Sequence, residues 1–238
     1  MDQAPLIQVR RSAERGHANH GWLNTYHTFS FGDYFDDQHM SFRTMRVINE
    51  DSIAAGEGFG SHPHKDMEIV TMVLEGALAH KDSMGNASVI KAGDVQRMSA
   101  GTGVIHSEFN HSLKEHVDLF QVWILPEQKG SQPSYEQKAF SKNELTNQLR
   151  LIVSKDGTEG SVKIHQDVKI YGSILESNQE IDYITDQRRG LWIQVRSGAI
   201  NINNEITLSP GDGASIENTK NIKIKAAEKS HFFLFDLY

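Results

Sequence analysis

Two histidines flank a proline at His62-Pro63-His64, and a second pair of polar residues two apart, His106 and Glu108, follows the glycine-rich turn Gly101-Thr102-Gly103. Successive residues of an extended chain point to opposite faces, so each pair presents both of its side chains on one side. Pro63 favours an extended conformation at His62 and has no N–H to give to a sheet, which suits the mouth of a strand. Three imidazoles and one carboxylate from two strands make a nitrogen and oxygen shell suited to iron, manganese, cobalt, nickel or copper, with coordination positions left open. Open positions are the mark of a catalytic site rather than a closed structural one. With 12 histidines in the chain, chance pairs compete with this reading. His80, His111, His116, His165 and His231 are expected to be hydrogen-bonded or solvated residues.

Composition narrows what the shell can be. The chain of 238 residues is 38% hydrophobic, enough for a substantial core in one large or two modest domains. It has no cysteine, which excludes disulfides, zinc ribbons, iron–sulfur clusters and thiol nucleophiles; a metal must be held by nitrogen and oxygen. The first eleven residues lack the apolar centre of a signal peptide, and no apolar run approaches the roughly 18 residues of a membrane span. A cytoplasmic protein without a membrane partner is expected. A formal charge of −7, with no lysine or arginine cluster, argues against nucleic acid as a direct partner.

The elements that must position these residues read as strands. Residues 43–48, 67–74, 87–91, 117–125, 149–153, 168–175, 191–195, 199–203 and 232–237 are short and rich in Val, Ile and aromatics, and turn formers such as Ser83-Met84-Gly85-Asn86 and Ser209-Pro210-Gly211-Asp212 separate them. The pattern predicts an all-β sandwich or barrel. A capping box at Ser141 and Glu144 predicts one short helix running through Leu149. The linker-like stretch 126–133 places a domain boundary there, giving residues 1–130 and 131–238. The halves echo each other: the strand ending at Gly76 leads through a turn to Gly93-Asp94, and the strand ending at Gly198 leads through a turn to Gly211-Asp212.

Gly56, His62-Pro63-His64, Glu68 and Gly76 together resemble the first cupin motif, and Gly103-Val104-Ile105-His106 with Asn110 resembles the tail of the second. The likeness to pirins is closer. His20-Gly21-Trp22-Leu23, the run His27 to Tyr34, the run Arg46 to Asp51, His62-Pro63-His64 and His106-Ser107-Glu108 resemble pirin signatures in pirin order, nearest to the bacterial pirin-like quercetin 2,3-dioxygenases. The resemblance implies an all-β bicupin, two β-sandwich or jelly-roll barrels packed face to face. It implies one mononuclear divalent transition metal in the N-terminal barrel, iron before manganese, cobalt, nickel or copper, held by His62, His64, His106 and Glu108. It also implies cleavage of a flavonol-like small molecule with O2, in which Glu108 accepts the substrate's hydroxyl proton. The alternative is a regulatory metalloprotein acting through a protein partner. General cupins take their carboxylate from the position of Glu68; the pirin pattern gives Glu68 a structural or supporting role. The segment around Trp22 and Phe29 is expected to pack against the barrel rather than touch substrate. Carrying the ligand spacings onto the second repeat lands on Ile184, Asp186, Ile224 and Ala226, so the C-terminal barrel is expected to be metal-free.

Overall fold

The computed structural model describes residues 5–238. Four antiparallel-rich sheets form two barrels. In the first barrel a seven-stranded sheet runs, in spatial order, Ser134–Ala139, Asp94–Ser99, Glu68–Glu75, Val117–Ile124, Met45–Ile53, Leu23–His27, Gly16–Asn19. Its companion is the four-stranded sheet Gly58–His64, Val104–Asn110, Ala77–Asp82, Ala87–Lys91. The second barrel repeats the plan. Its large sheet runs Leu6–Arg10, Gly213–Glu217, Gly190–Ser197, Ser230–Leu237, Val168–Leu175, Arg150–Ser154, Val162–Lys163, and its small sheet Glu180–Ile184, Asn221–Ala226, Ile200–Ile202, Ile206–Leu208. This is the bicupin architecture that the resemblance implies.

The continuous apolar runs follow from burial on both faces of the large sheets. In Ser230–Leu237, Phe232 and Leu234 point into the second barrel with Ile193, Ile200 and Ile224, while Phe233, Phe235 and Leu237 point to the junction between the halves. In Val117–Ile124, Val117 and Leu119 face the first barrel with Leu78 and Ile90, and Phe120, Val122 and Ile124 face the same junction. Met72 and Val95 of one half thus share a core with Ile152, Val168 and Trp192 of the other. At about 25 cal/mol per Å² of buried apolar surface, such a core is the dominant force holding the barrels face to face.

Each half lends the other an edge strand. Leu6–Arg10 pairs with Gly213–Glu217, Leu6 opposite Glu217, and Ser134–Ala139 pairs with Asp94–Ser99. The first exchange is pinned where Asp212 accepts the Ser12 main-chain N–H at 2.7 Å and the Arg11 guanidinium at 2.8 Å. The capping box at Ser141 forms, both halves of it, but the helix is only Lys142–Leu145. Thr146, at its C-terminal cap, is already extended, with φ −75° and ψ 124°, which ends the helix before Leu149. The expected strand at 43–48 begins later, at Met45, because Arg43 has a φ of 53°. Among the described residues no helix is long and apolar enough to cross a membrane.

Candidate metal centre

His62 and His106 are direct partners across the antiparallel pair Gly58–His64 and Val104–Asn110, with His64 opposite Val104. Their rings converge: centroids are 4.4 Å apart for His62 and His106 and 4.8 Å for both His62–His64 and His64–His106. A ligating atom from each of the three lies within 4.8 Å of the others. Glu108 comes in through an irregularity in the ladder. Between His106 and Glu108 the register slips, so that Glu108 stands opposite Phe59 rather than Gly60. Such bulges re-aim side chains beside functional sites. Glu108 forms a second compact group with His106 and His80, so His106 joins the two groups.

Partners behind these side chains fix their orientation. The His62 Nδ1 is 2.7 Å from the Gly60 carbonyl oxygen; a donor there leaves Nε2 free to ligate. Gln121 donates its amide to Glu108 Oε2 at 2.9 Å, and Trp123 donates its indole N–H to Gln121 Oε1 at 3.0 Å, which sets the amide's direction. The expected odd-numbered parity of Val117–Ile124 puts Gln121 and Trp123 on the barrel's inner face with Val117 and Leu119. The buried side-chain atoms without a partner in the protein include His106 Nε2 and Glu108 Oε1. Buried polar groups are seldom left unpaired, and a neutral imidazole nitrogen beside a carboxylate oxygen is a donor set that a divalent cation satisfies. Burial first, then the neighbouring imidazoles, push His64 down to about 4 and His106 down to about 3. Both are therefore neutral at neutral pH, the form that binds metal. Burial pushes Glu108 up from its ordinary range.

The site opens into a cleft of about 590 Å³ whose walls include Phe31, Tyr34, Phe59 and Trp123, with Asp51 and Gln121 among its polar groups. Asp51 is 6% exposed, and burial pushes its carboxyl up to about 7, with the Glu108 charge adding to the shift.

Several side chains stand elsewhere than the sequence spacing suggests. Glu68 has the same parity as His62 and His64, yet Asp66 between them adopts a left-handed φ of 50°, which resets the alternation. Glu68 therefore points with Val70 and Met72 toward the junction, where it accepts the Ser99 hydroxyl at 2.9 Å and the His165 main-chain N–H at 3.1 Å. His80 is the residue that sequence reasoning set aside with the ordinary histidines. It is hydrogen-bonded, to Asp82 at 3.0 Å, but it sits inside the site. The available signal was the alternation Leu78, His80, Asp82, all buried on one face of Ala77–Asp82. Trp22 and Phe29 pack as expected, on Phe59 and Trp192, but their neighbours His17, Leu23, His27 and Phe31 line the cleft. In the second barrel Ile224 and Ala226 are fully buried among apolar side chains, Ile184 is exposed, and Asp186 is tied to Arg188.

Comparison with known proteins agrees with this geometry. Residues 7–124 match the Pirin family model and residues 151–237 the model described as the quercetinase C-terminal cupin domain. The chain is 48% identical to the quercetin 2,3-dioxygenase of Escherichia coli strain K12, covering 98% of this chain and 99% of that one. It is 42% identical to a putative quercetin 2,3-dioxygenase of Pasteurella multocida, covering 98% and 100%. The crystal structure of the bacterial pirin YhhW from Escherichia coli in complex with nickel(II) superimposes with a TM-score of 0.93 at 46% identity, covering 98% of this chain and 99% of that one. With both halves matched in order and relatives aligned from end to end, the chain belongs to the pirin family.

Proposed function

We propose that the protein is a metal-dependent quercetin 2,3-dioxygenase, opening the central ring of a flavonol with O2 and releasing carbon monoxide. The observation that carries the reading is the pair of buried, unpartnered atoms, His106 Nε2 and Glu108 Oε1, beside an aromatic cleft that His62, His64 and Glu108 line. The names of the relatives and the nickel(II) held by the bacterial pirin support it. In this reading His62, His64, His106 and Glu108 hold one divalent transition metal, iron in the first place, in the N-terminal unit of residues 1–130; residues 131–238 form its metal-free partner. The cytoplasmic setting expected from the sequence goes with it.

A bound metal of this kind supplies Lewis acidity toward the flavonol's hydroxyl and a route for electrons between the flavonol and O2. The chain's own residues do the rest. Phe31, Phe59 and Trp123 offer flat apolar surface to a planar substrate and exclude water from it. Gln121, held by Trp123, keeps Glu108 Oε2 in place. Glu108 would take the substrate's hydroxyl proton on the carboxylate oxygen not given to the metal. The test is elemental analysis of anaerobically purified protein, followed on the same sample by quercetin consumption and carbon monoxide release. One metal per chain and O2-dependent turnover that a chelator abolishes are expected; metal-loaded protein that neither turns over nor binds a flavonol would sink the assignment.

A further inference from the structure

The two ring nitrogens of His106 meet different surroundings. Nε2 is buried and unpartnered, whereas Nδ1 lies 3.5 Å from Nδ1 of His80. The remaining nitrogen of His80, Nε2, lies 3.0 Å from Asp82 Oδ2, and the side chains of His80 and Asp82 are fully buried. Burial opposes the Asp82 charge, but hydrogen bonds from the Asn86 amide, from His80 and from the main-chain N–H groups of Asn86 and Met84 hold the carboxyl below its ordinary range.

An ionised carboxylate only accepts, so the His80 hydrogen sits on Nε2. The Nδ1 of a neutral His80 is then an acceptor, and the group facing it, His106 Nδ1, must donate. That leaves His106 Nε2 with a bare lone pair. Read from the other end, an Nε2 that ligates a cation requires Nδ1–H on His106, which requires an acceptor on His80. Both directions give one arrangement of hydrogens.

We propose that Asp82 and His80 form a hydrogen-bonded relay that sets the tautomer of His106 and so decides which of its nitrogens is offered to the metal. His80 is a positioning residue acting through His106. The ring of Tyr135, 5.1 Å from that of His80 and itself bonded to Ser88 and Gln137, packs on His80 and restrains its rotation. The relay gives His106 what Gly60 gives His62 and Gln121 gives Glu108.

The inference rests on the metal-site reading of His106, and the experiment separates the two. Zinc is diamagnetic and takes imidazole ligands, so long-range proton–nitrogen correlation spectra of zinc-loaded protein with 15N-labelled histidine read each tautomer directly. The expected spectrum has His106 bound through Nε2 with its proton on Nδ1, and His80 with its proton on Nε2. His106 bound through Nε2 beside a His80 protonated on Nδ1 would overturn the relay alone. Zinc bound with no coordination shift at His106 would overturn the metal-site reading and the relay with it. Competition with a chelator supplies a second measurement. His80→Phe removes the acceptor, and zinc affinity is expected to fall about 10–100-fold; His80→Gln restores a carbonyl acceptor and is expected to recover most of that loss. Should the phenylalanine variant not fold, the spectrum of the unmutated protein decides alone: a His80 protonated on Nδ1 overturns the relay, and one protonated on Nε2 beside a His106 protonated on Nδ1 supports it.

Discussion

Glu68 accepts the main-chain N–H of His165 at 3.1 Å across the junction of the two barrels. The carboxylate in the general cupin position thus joins the halves, while Glu108, 3% exposed, carries the unpartnered oxygen inside the first barrel. The two residues should separate cleanly on mutation. Glu108→Gln is expected to lower metal affinity at least tenfold and to abolish quercetin turnover. Glu68→Gln is expected to keep the metal and to lose about 1–3 kcal/mol of stability through its weakened junction bonds. Metal content, turnover and thermal unfolding of both variants check this. Loss of metal from Glu68→Gln alone would reverse the choice of carboxylate.

Asp51 gives a pH signature. Its folded-state pKa, pushed up to about 7 by burial, lies above the unfolded value, so between about pH 4 and pH 7 the native state holds a proton that the unfolded state has released. Stability attributable to Asp51 is intact below pH 4 and is lost as the pH rises through 7. Asp51→Asn removes that loss. In chelator-treated protein the variant is expected to gain on the order of 2–4 kcal/mol over the parent above pH 7 and almost nothing near pH 4. Urea unfolding across that range measures it, and a gain that is flat with pH would contradict the assignment.

Gly58 tests the ladder that carries the ligands. A Cβ there would stand 2.2 Å from the Glu108 carbonyl oxygen and 2.5 Å from the Phe109 Cα, both main-chain atoms that move only with their strand. Gly58→Ala is expected to destabilise by roughly 1–3 kcal/mol and to weaken metal binding by displacing Glu108. Gly60→Ala, where nothing lies within 4 Å, is the matched control and should change stability little.

In the second barrel, Asp236 is 1% exposed and accepts from Tyr183 at 2.5 Å, from Thr185 at 3.0 Å and from the Arg189 guanidinium. Asp236→Ala strands a partly buried cation and a buried hydroxyl, and about 3–5 kcal/mol of stability should be lost. The folded fraction should still carry its full complement of metal, because these groups lie outside the candidate centre. Calorimetry with metal analysis of the refolded protein tests both halves of the expectation.

The paired spacing of His62 with His64, and of His106 with Glu108, was readable because alternation within one strand is a local property. The apolar runs were readable for the same reason. Glu68 has the supporting role that the pirin resemblance implies; parity alone would set it beside His62 and His64, but Asp66 turns the chain between the two strands. His80 was passed over because its importance lies in what faces it from Val104–Asn110, and cross-strand pairing leaves no mark on either strand alone. The helix stops at Leu145 because Thr146 is already extended, which the capping box at its other end does not encode. The partner of Leu6–Arg10 lies about two hundred residues away, beyond the reach of any local pattern.

That remote pairing governs how the chain emerges from a ribosome. Leu6–Arg10 leaves the exit tunnel about two hundred residues ahead of its neighbour Gly213–Glu217. At about 5–20 residues per second, the opening segment waits on the order of ten to forty seconds with an unsatisfied edge, exposed to proteases, chaperones and the equivalent strand of a neighbouring nascent chain. On a crowded polysome, slow translation of the stretch between the two strands would favour trading the earlier one between molecules.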